Sequence, residues 1–235
     1  MDLIAKTVVM CAGITDLKFC EADPAATRRV NVDSTVAALE TAHAEGSRVV
    51  YLSSHAVFDG LTPMLPIGAP TSAIIEYGKQ KSEVEKRLIA LGERACVVRM
   101  TKVMSCQVAL ISKWISSLEK NESISPFEDL LMSPISLRFL VSLIADYPIR
   151  GMVHVSSGIQ LTYAEFANEL VRMFGFRRQL VCPVSAKDAG IELLYRPRFT
   201  TLAMADTEKR FGVGSQSLRA VMADLLQEYS SSKLG

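Results

Sequence analysis

The chain predicts an α/β fold, with a parallel sheet covered on both faces and a smaller lobe after it. Three observations lead there. Short β-branched runs at Thr7 to Cys11, Arg48 to Ser53 and Cys96 to Met100 alternate with longer segments of helical period. The runs are apolar almost throughout, the mark of strands buried on both faces rather than half-exposed. And 235 residues, 49% of them apolar, suffice to bury one core with a lobe attached.

The elements follow in order. Thr7 to Cys11 is the first strand: it follows Asp2 and a single Lys6 and consists of strand formers, which suits a buried strand better than a secretion signal. Ala12-Gly13 ends it, where the carboxyl end of a parallel strand opens onto a ligand crevice. Pro24 suits the first turn of a helix and Gly46 its stop, with Val32, Val36, Leu39 and Ala42 as the buried stripe. Arg48 to Ser53 is the next strand and runs into Ser53-Ser54. A loop holding Gly60, Pro63, Pro66, Gly68 and Pro70 leads to a helix from about Ile74 to Leu91, closed by Gly92, with Val84, Leu88 and Leu91 set among charges. Cys96 to Met100 is the third strand. Beyond Met104 the alternation loosens, and the expected helices are Gln107 to Leu118, Ser136 to Ala145, Leu161 to Phe174 and Ser217 to Tyr229. Thr162 is the expected N-cap of the third, and Met152 to Val155 a short strand. The boundary near Met104 divides the chain into 1–104 and 105–235.

Composition excludes several classes of function. Lys plus Arg (26) nearly cancels Asp plus Glu (25), and no long block of either sign occurs, so no nucleic acid is expected as partner. No uncharged apolar stretch approaches the ~20 residues that span a bilayer, so no membrane is expected either. The five cysteines lack any C-x-x-C or metal-ligand spacing. They read as free thiols of a cytoplasmic protein with no metal.

The chemistry gathers at Tyr77-Gly78-Lys79-Gln80-Lys81, because residues four apart share a helix face. A phenol with a pKa of about 10 is a poor acid at neutral pH. An ammonium one turn away favours phenolate, so Lys81 is expected to bring Tyr77 toward the working range. Taken alone, the pair is equally a solvated helix face. Its context is Ser53-Ser54 at the end of the preceding strand, where a hydroxyl can hold a substrate carbonyl while the tyrosine protonates it. Ser54 is the candidate, and Ser53 reads as structural.

These segments resemble the extended short-chain dehydrogenase/reductases, and within them the dTDP-4-dehydrorhamnose reductase branch. Leu52-Ser53-Ser54-His55-Ala56-Val57-Phe58-Asp59-Gly60 resembles the branch's Ser-Thr-Asp-Tyr-Val-Phe-Asp-Gly segment, and Tyr77-Gly78-Lys79-Gln80-Lys81 its Tyr-Gly-x-x-Lys. Val30-Asn31-Val32, Asp129 with Ser133-Pro134-Ile135-Ser136, Val153 to Gly158, Tyr163 to Ala167, and Arg196-Pro197-Arg198 with Phe211-Gly212 follow in the family's order. The resemblance implies an incomplete Rossmann-type parallel sheet with a smaller C-terminal substrate-binding lobe. It implies an NAD(P)H-dependent reductase of a 4-keto nucleotide sugar. Tyr77 would give the proton, Lys81 tune it and hold the nicotinamide ribose, and Ser54 position the ketone. Ala12, Gly13 and Ile14 would border NADP or NAD, with Tyr77 and Lys81, while Ser54, His55 and Lys102 would meet the substrate. Asn31 could simply satisfy backbone groups.

Two departures accompany the resemblance. The family's Gly-x-x-Gly-x-x-Gly loop does not occur, and Gly13 already ends what the family would call its fourth strand. The expectations are a partial dinucleotide-binding domain over 1–104, weakened or lost cofactor binding, an open strand edge at Thr7 to Cys11, and self-association, a homodimer included. Lys102 stands where the branch has a tryptophan, and His55-Ala56 where it has Asp-Tyr, which speaks against dTDP-4-dehydrorhamnose itself as substrate. The branch also resembles the regulatory beta subunit of methionine adenosyltransferase. A non-catalytic sugar-nucleotide-binding or regulatory subunit is therefore the alternative.

Overall fold

The computed structural model describes residues 6–233. Its centre is a four-stranded parallel sheet ordered β1-β2-β3-β7, made of β1 (Thr7–Met10), β2 (Arg48–Ser54), β3 (Ala95–Met100) and β7 (Gly151–Val155). On one face lie α3 (Thr35–Ala44) and α4 (Glu76–Ile89), whose Val36, Leu39, Val84 and Leu88 pack against Val49, Tyr51 and Val97. On the other lies α6 (Leu137–Asp146), whose Leu140 and Leu143 meet Val50, Val98, Val153 and Val155. The even spacing of strand residues between the two clusters is the period-2 alternation of a pleated sheet with both faces covered.

The second lobe has its own core. α5 (Ala109–Glu119), α7 (Tyr163–Phe174) and α9 (Leu218–Ser232) bring together Ile111, Trp114, Leu118, Phe166, Leu170, Val221 and Leu225. β7, which lies beyond Met104, returns to the sheet beside β3. Thr162 caps α7 as expected, in a capping box with Glu165, and Gly175 ends it at φ 75°.

Several elements differ from the sequence expectation. The helix expected from Pro24 to Gly46 is α2 (Pro24–Arg28), a π-helical turn (Arg29–Ser34) and α3, and a further helix, α1 (Leu17–Ala22), precedes it. α1 carries no readable period in six residues. Its signal is the cap, since Asp16 and then Asp23 each accept an N–H of the turn that follows. β1 is not buried as expected: Val9 is 36% exposed, because β1 pairs only with β2 among the described residues. Two small sheets, β4 (Lys102–Met104) with β6 (Pro134–Ser136) and β5 (Leu131–Met132) with β8 (Leu161–Thr162), are too short to read from sequence. The remaining helix is α8 (Ala205–Phe211). No helix among the described residues is long and apolar enough to cross a membrane.

Candidate active site

β2 delivers Ser54 to the carboxyl edge of the sheet, opposite Met100 of β3. The chain then tightens into a single 3-10 turn, His55–Val57, which Ser54 caps by accepting the Ala56 N–H at 3.1 Å. α4 packs directly on that turn. It can do so because Gly78 has no side chain: a Cβ there would lie 2.0 Å from the Ala56 carbonyl oxygen. The close approach sets Tyr77, in the first turn of α4, near enough to Ser54 for the serine to lower the phenol's pKa. One turn on, Lys81 donates from Nζ to the Leu52 carbonyl at 2.9 Å, 4.6 Å from the Tyr51 ring centroid and 5.6 Å from that of Tyr77. Ser54, Tyr77 and Lys81, chosen from sequence, meet in one place.

Their electrostatics depart from expectation at one point. Lys81 does not draw the phenol toward neutrality; burial pushes Tyr77 up to about 12, with the nearby Cys20 adding to the rise and Ser54 opposing it. Desolvation wins because it penalises the phenolate directly, whereas the ammonium is itself buried and committed to Leu52. Burial also lowers Lys81 to about 8, against the raising effect of Glu85 and Cys11. At pH 7 the pair is therefore a neutral phenol beside an ammonium. That is the protonation state of a donor.

Beneath them lies a charged cluster that sequence reasoning missed. Glu85 accepts from Ser53 Oγ at 2.5 Å and from Arg99 through Nη2 at 2.7 Å and Nε at 3.1 Å, and all three residues are buried. The available signal was spacing, since Glu85 falls four residues after Lys81 on the same face. Ser53 has the structural role expected of it.

The residues expected to border the cofactor follow β1. Ala12 and Gly13 are exposed and Ile14 half-buried. Asn31 fastens this loop, accepting from Ile14 N at 2.7 Å, donating to Ile14 O at 3.0 Å and bonding Gln80 Oε1 of α4 at 2.9 Å. It satisfies backbone groups, as its sequence context suggested.

Of the substrate candidates, His55 is half-buried beside Tyr195, with ring centroids 6.1 Å apart and Nδ1 unpartnered. Burial lowers it to about 4, with the positive charge of Lys102 adding to the effect, so the ring is neutral at pH 7. Lys102 begins β4, two residues past the rung that holds Ser54, and is exposed. The geometry thus brings His55 beside Ser54 and leaves Lys102 at the rim.

Residues 2–231 match the family model of the RmlD substrate binding domain. The dTDP-4-dehydrorhamnose reductase of Sinorhizobium fredii is 26% identical over 229 residues, covering 90% of this chain and 76% of that protein. The methionine adenosyltransferase 2 subunit beta of Xenopus laevis is 22% identical over 229 residues, covering 92% of this chain and 68% of that protein. The crystal structure of dTDP-4-dehydrorhamnose reductase from Bacillus anthracis in complex with NADP is similar at a TM-score of 0.84 and 20% identity, over 96% of this chain and 82% of that one. A likeness of that kind establishes the Rossmann-type fold.

Proposed function

The chain belongs to the RmlD substrate binding domain family, and from that premise we propose that it is an NAD(P)H-dependent reductase of a 4-keto nucleotide sugar, similar to dTDP-4-dehydrorhamnose reductase. The observation that carries this reading is the meeting of Ser54, Tyr77 and Lys81 where α4 packs on the turn that follows β2, with the phenol neutral. Ser54 and Tyr77 together hold the ketone oxygen, and Tyr77 releases its proton to that oxygen as negative charge develops there. Lys81, below its pKa of about 8, stabilises the phenolate left behind. NAD(P)H, when bound, supplies the hydride.

The residues fit the nicotinamide end of that cofactor. Lys81 is a buried ammonium with donors to spare beyond Leu52, and the adjoining Tyr51 hydroxyl has no partner among the protein's atoms. Ala12, Gly13 and Ile14 would border it. His55 and Lys102 would face the substrate, His55 with an unpartnered ring nitrogen and Lys102 with a charge suited to a phosphate or carboxylate. On this reading residues 1–104 form the cofactor half, and 105–235 mostly the substrate lobe with segments that return to the sheet. The protein is cytoplasmic, in keeping with five free cysteines. It self-associates.

The test is reduction of 4-keto nucleotide sugars by NADH and NADPH, run on the 235-residue chain and on the same chain fused behind a relative's glycine-loop segment. Tyr77→Phe should lower turnover by about 10²–10⁴-fold with cofactor affinity kept, and Ser54→Ala by about 10²–10³-fold. A full rate for Tyr77→Phe overturns the assignment. A second reading, a non-catalytic regulatory subunit, draws on the similarity to the methionine adenosyltransferase beta subunit. It expects binding of a protein target and no turnover in either form.

A further inference from the structure

Ser53 and Arg99 share a single buried carboxylate, Glu85, one turn along α4 from the buried Lys81, and from this arrangement we propose that Glu85 is the positioning residue of the site. It pins the strand ends that carry Leu52 and Ser54, and it supplies the negative charge that keeps Lys81 an ammonium. The proposal rests on the reductase reading for the meaning of the site, and on geometry for everything else.

Position comes first. Ser53, bonded to Glu85 at 2.5 Å, stands between Leu52, whose carbonyl holds Lys81 at 2.9 Å, and Ser54, whose hydroxyl caps the turn on which α4 packs. One contact therefore fixes both attachments at once. Arg99, on the neighbouring strand directly opposite Ser53, closes the other side of the carboxylate through Nε and Nη2 and donates to the Ile67 carbonyl at 3.3 Å. Ser53 and Glu85 are each 1% exposed, and Arg99 3%.

Charge comes second. The groups around Lys81 are Tyr51 from β2, Cys11 just past β1, and Tyr77 and Glu85 from α4 itself, with Arg99 of β3 behind Glu85. Phenols and thiols are neutral at pH 7, so Glu85 is the anion of this set. Arg99 and Glu85 alone would balance; with Lys81 the cluster is a cation in excess. Lys81 thus feels its two charged neighbours in opposite senses.

The experiment follows the ε-carbon resonance of Lys81 against pH in ¹³C-lysine-labelled protein, with the signal assigned by its loss in Lys81→Met. Glu85→Gln should lower the midpoint by about one pH unit or more, and Arg99→Met should raise it. If Glu85→Gln does not fold, Arg99→Met decides alone: a rise supports the proposal and an unmoved or lowered midpoint overturns it. Midpoints that both fall, or both stay, reduce Glu85 to a structural ion pair. The measurement needs neither cofactor nor turnover. Opposite movements of the midpoint in a protein that reduces no nucleotide sugar would sink the reductase reading and leave the charge coupling standing.

Discussion

The sheet face turned to α6 is apolar through its middle, with Val50, Cys96, Val98, Val153 and Val155 under Ile135, Leu140 and Leu143, and its one charge among the described residues, Arg48 at the amino end of β2, donates to the Ile144 and Tyr147 carbonyls. The face turned to α3 and α4 is apolar only at its amino half, where Val49 and Val97 meet Val36, Val84 and Leu88. Toward the carboxyl ends the same face carries Ser53 and Arg99, each in a closed polar cluster, and then groups that stay open. Tyr51 Oη and His154 Nε2 are buried with no partner, and burial lowers His154 to about 4. Buried polar atoms cost free energy unless bonded, so a fold selected only for stability would resemble the α6 face throughout. The difference separates a face closed by apolar packing from one that leaves buried polar atoms open.

The contrast can be broken by substitution on each side. Leu143→Ala, on the apolar face, should cost about 2–5 kcal/mol in denaturant unfolding, the range for emptying a well-packed aliphatic site. It should leave the Lys81 titration where it was; a moved midpoint would mean that the faces are not independent. Gly78→Ala, on the functional side, should cost about 1–3 kcal/mol of overpacking. An ordinary helix glycine behaves in the opposite way, gaining up to about 1 kcal/mol on change to alanine. The reversal follows from the Ala56 carbonyl 2.0 Å from the added Cβ, which can retreat only by moving the turn capped by Ser54. Turnover should fall with stability. A stabilised Gly78→Ala with full activity would show that the close packing of α4 is dispensable.

Sequence was legible where one signal acted over many residues and silent where contacts were tertiary. The strand runs, the stripe Val32, Val36 and Leu39, and the capped start of α7 were all readable because period and cap chemistry are local. That Ser54, Tyr77 and Lys81 would lie together was readable through motif order. The π-helical turn was not, because it turns on where Asn31 must reach: to Ile14, seventeen residues back, and to Gln80 on α4. Glu85 with Arg99 was invisible for the same reason, a pair fourteen residues apart brought together by a strand and a helix. The direction in which the Tyr77 pKa moves was misread because sequence displays the neighbouring lysine and hides the depth of burial.

The smallest effect makes the sharpest test, because its sign runs against intuition. Lys81 is 9% exposed and its pKa is lowered from 10.5 to about 8, mainly by burial. A base with a depressed folded pKa destabilises the fold while charged in both states. The full penalty applies below about pH 8, and it is relieved as pH rises toward 10.5, where the unfolded chain binds the extra proton. Every tenfold loss of proton affinity corresponds to about 1.4 kcal/mol. The Leu52 carbonyl bond and the contact with the Tyr51 ring offset part of that penalty, so Lys81→Met should stabilise the protein by about 1–2 kcal/mol at pH 7. The variant leaves Arg99 and Glu85 as a balanced pair, so no buried charge is orphaned. It should be catalytically dead. Chemical denaturation at a series of pH values checks both parts, because the advantage of methionine should shrink as pH climbs from 8 to 10.5. A variant less stable at pH 7, or one whose gain persists undiminished at pH 10.5, would place Lys81 among the residues that hold the fold together rather than those it strains to accommodate.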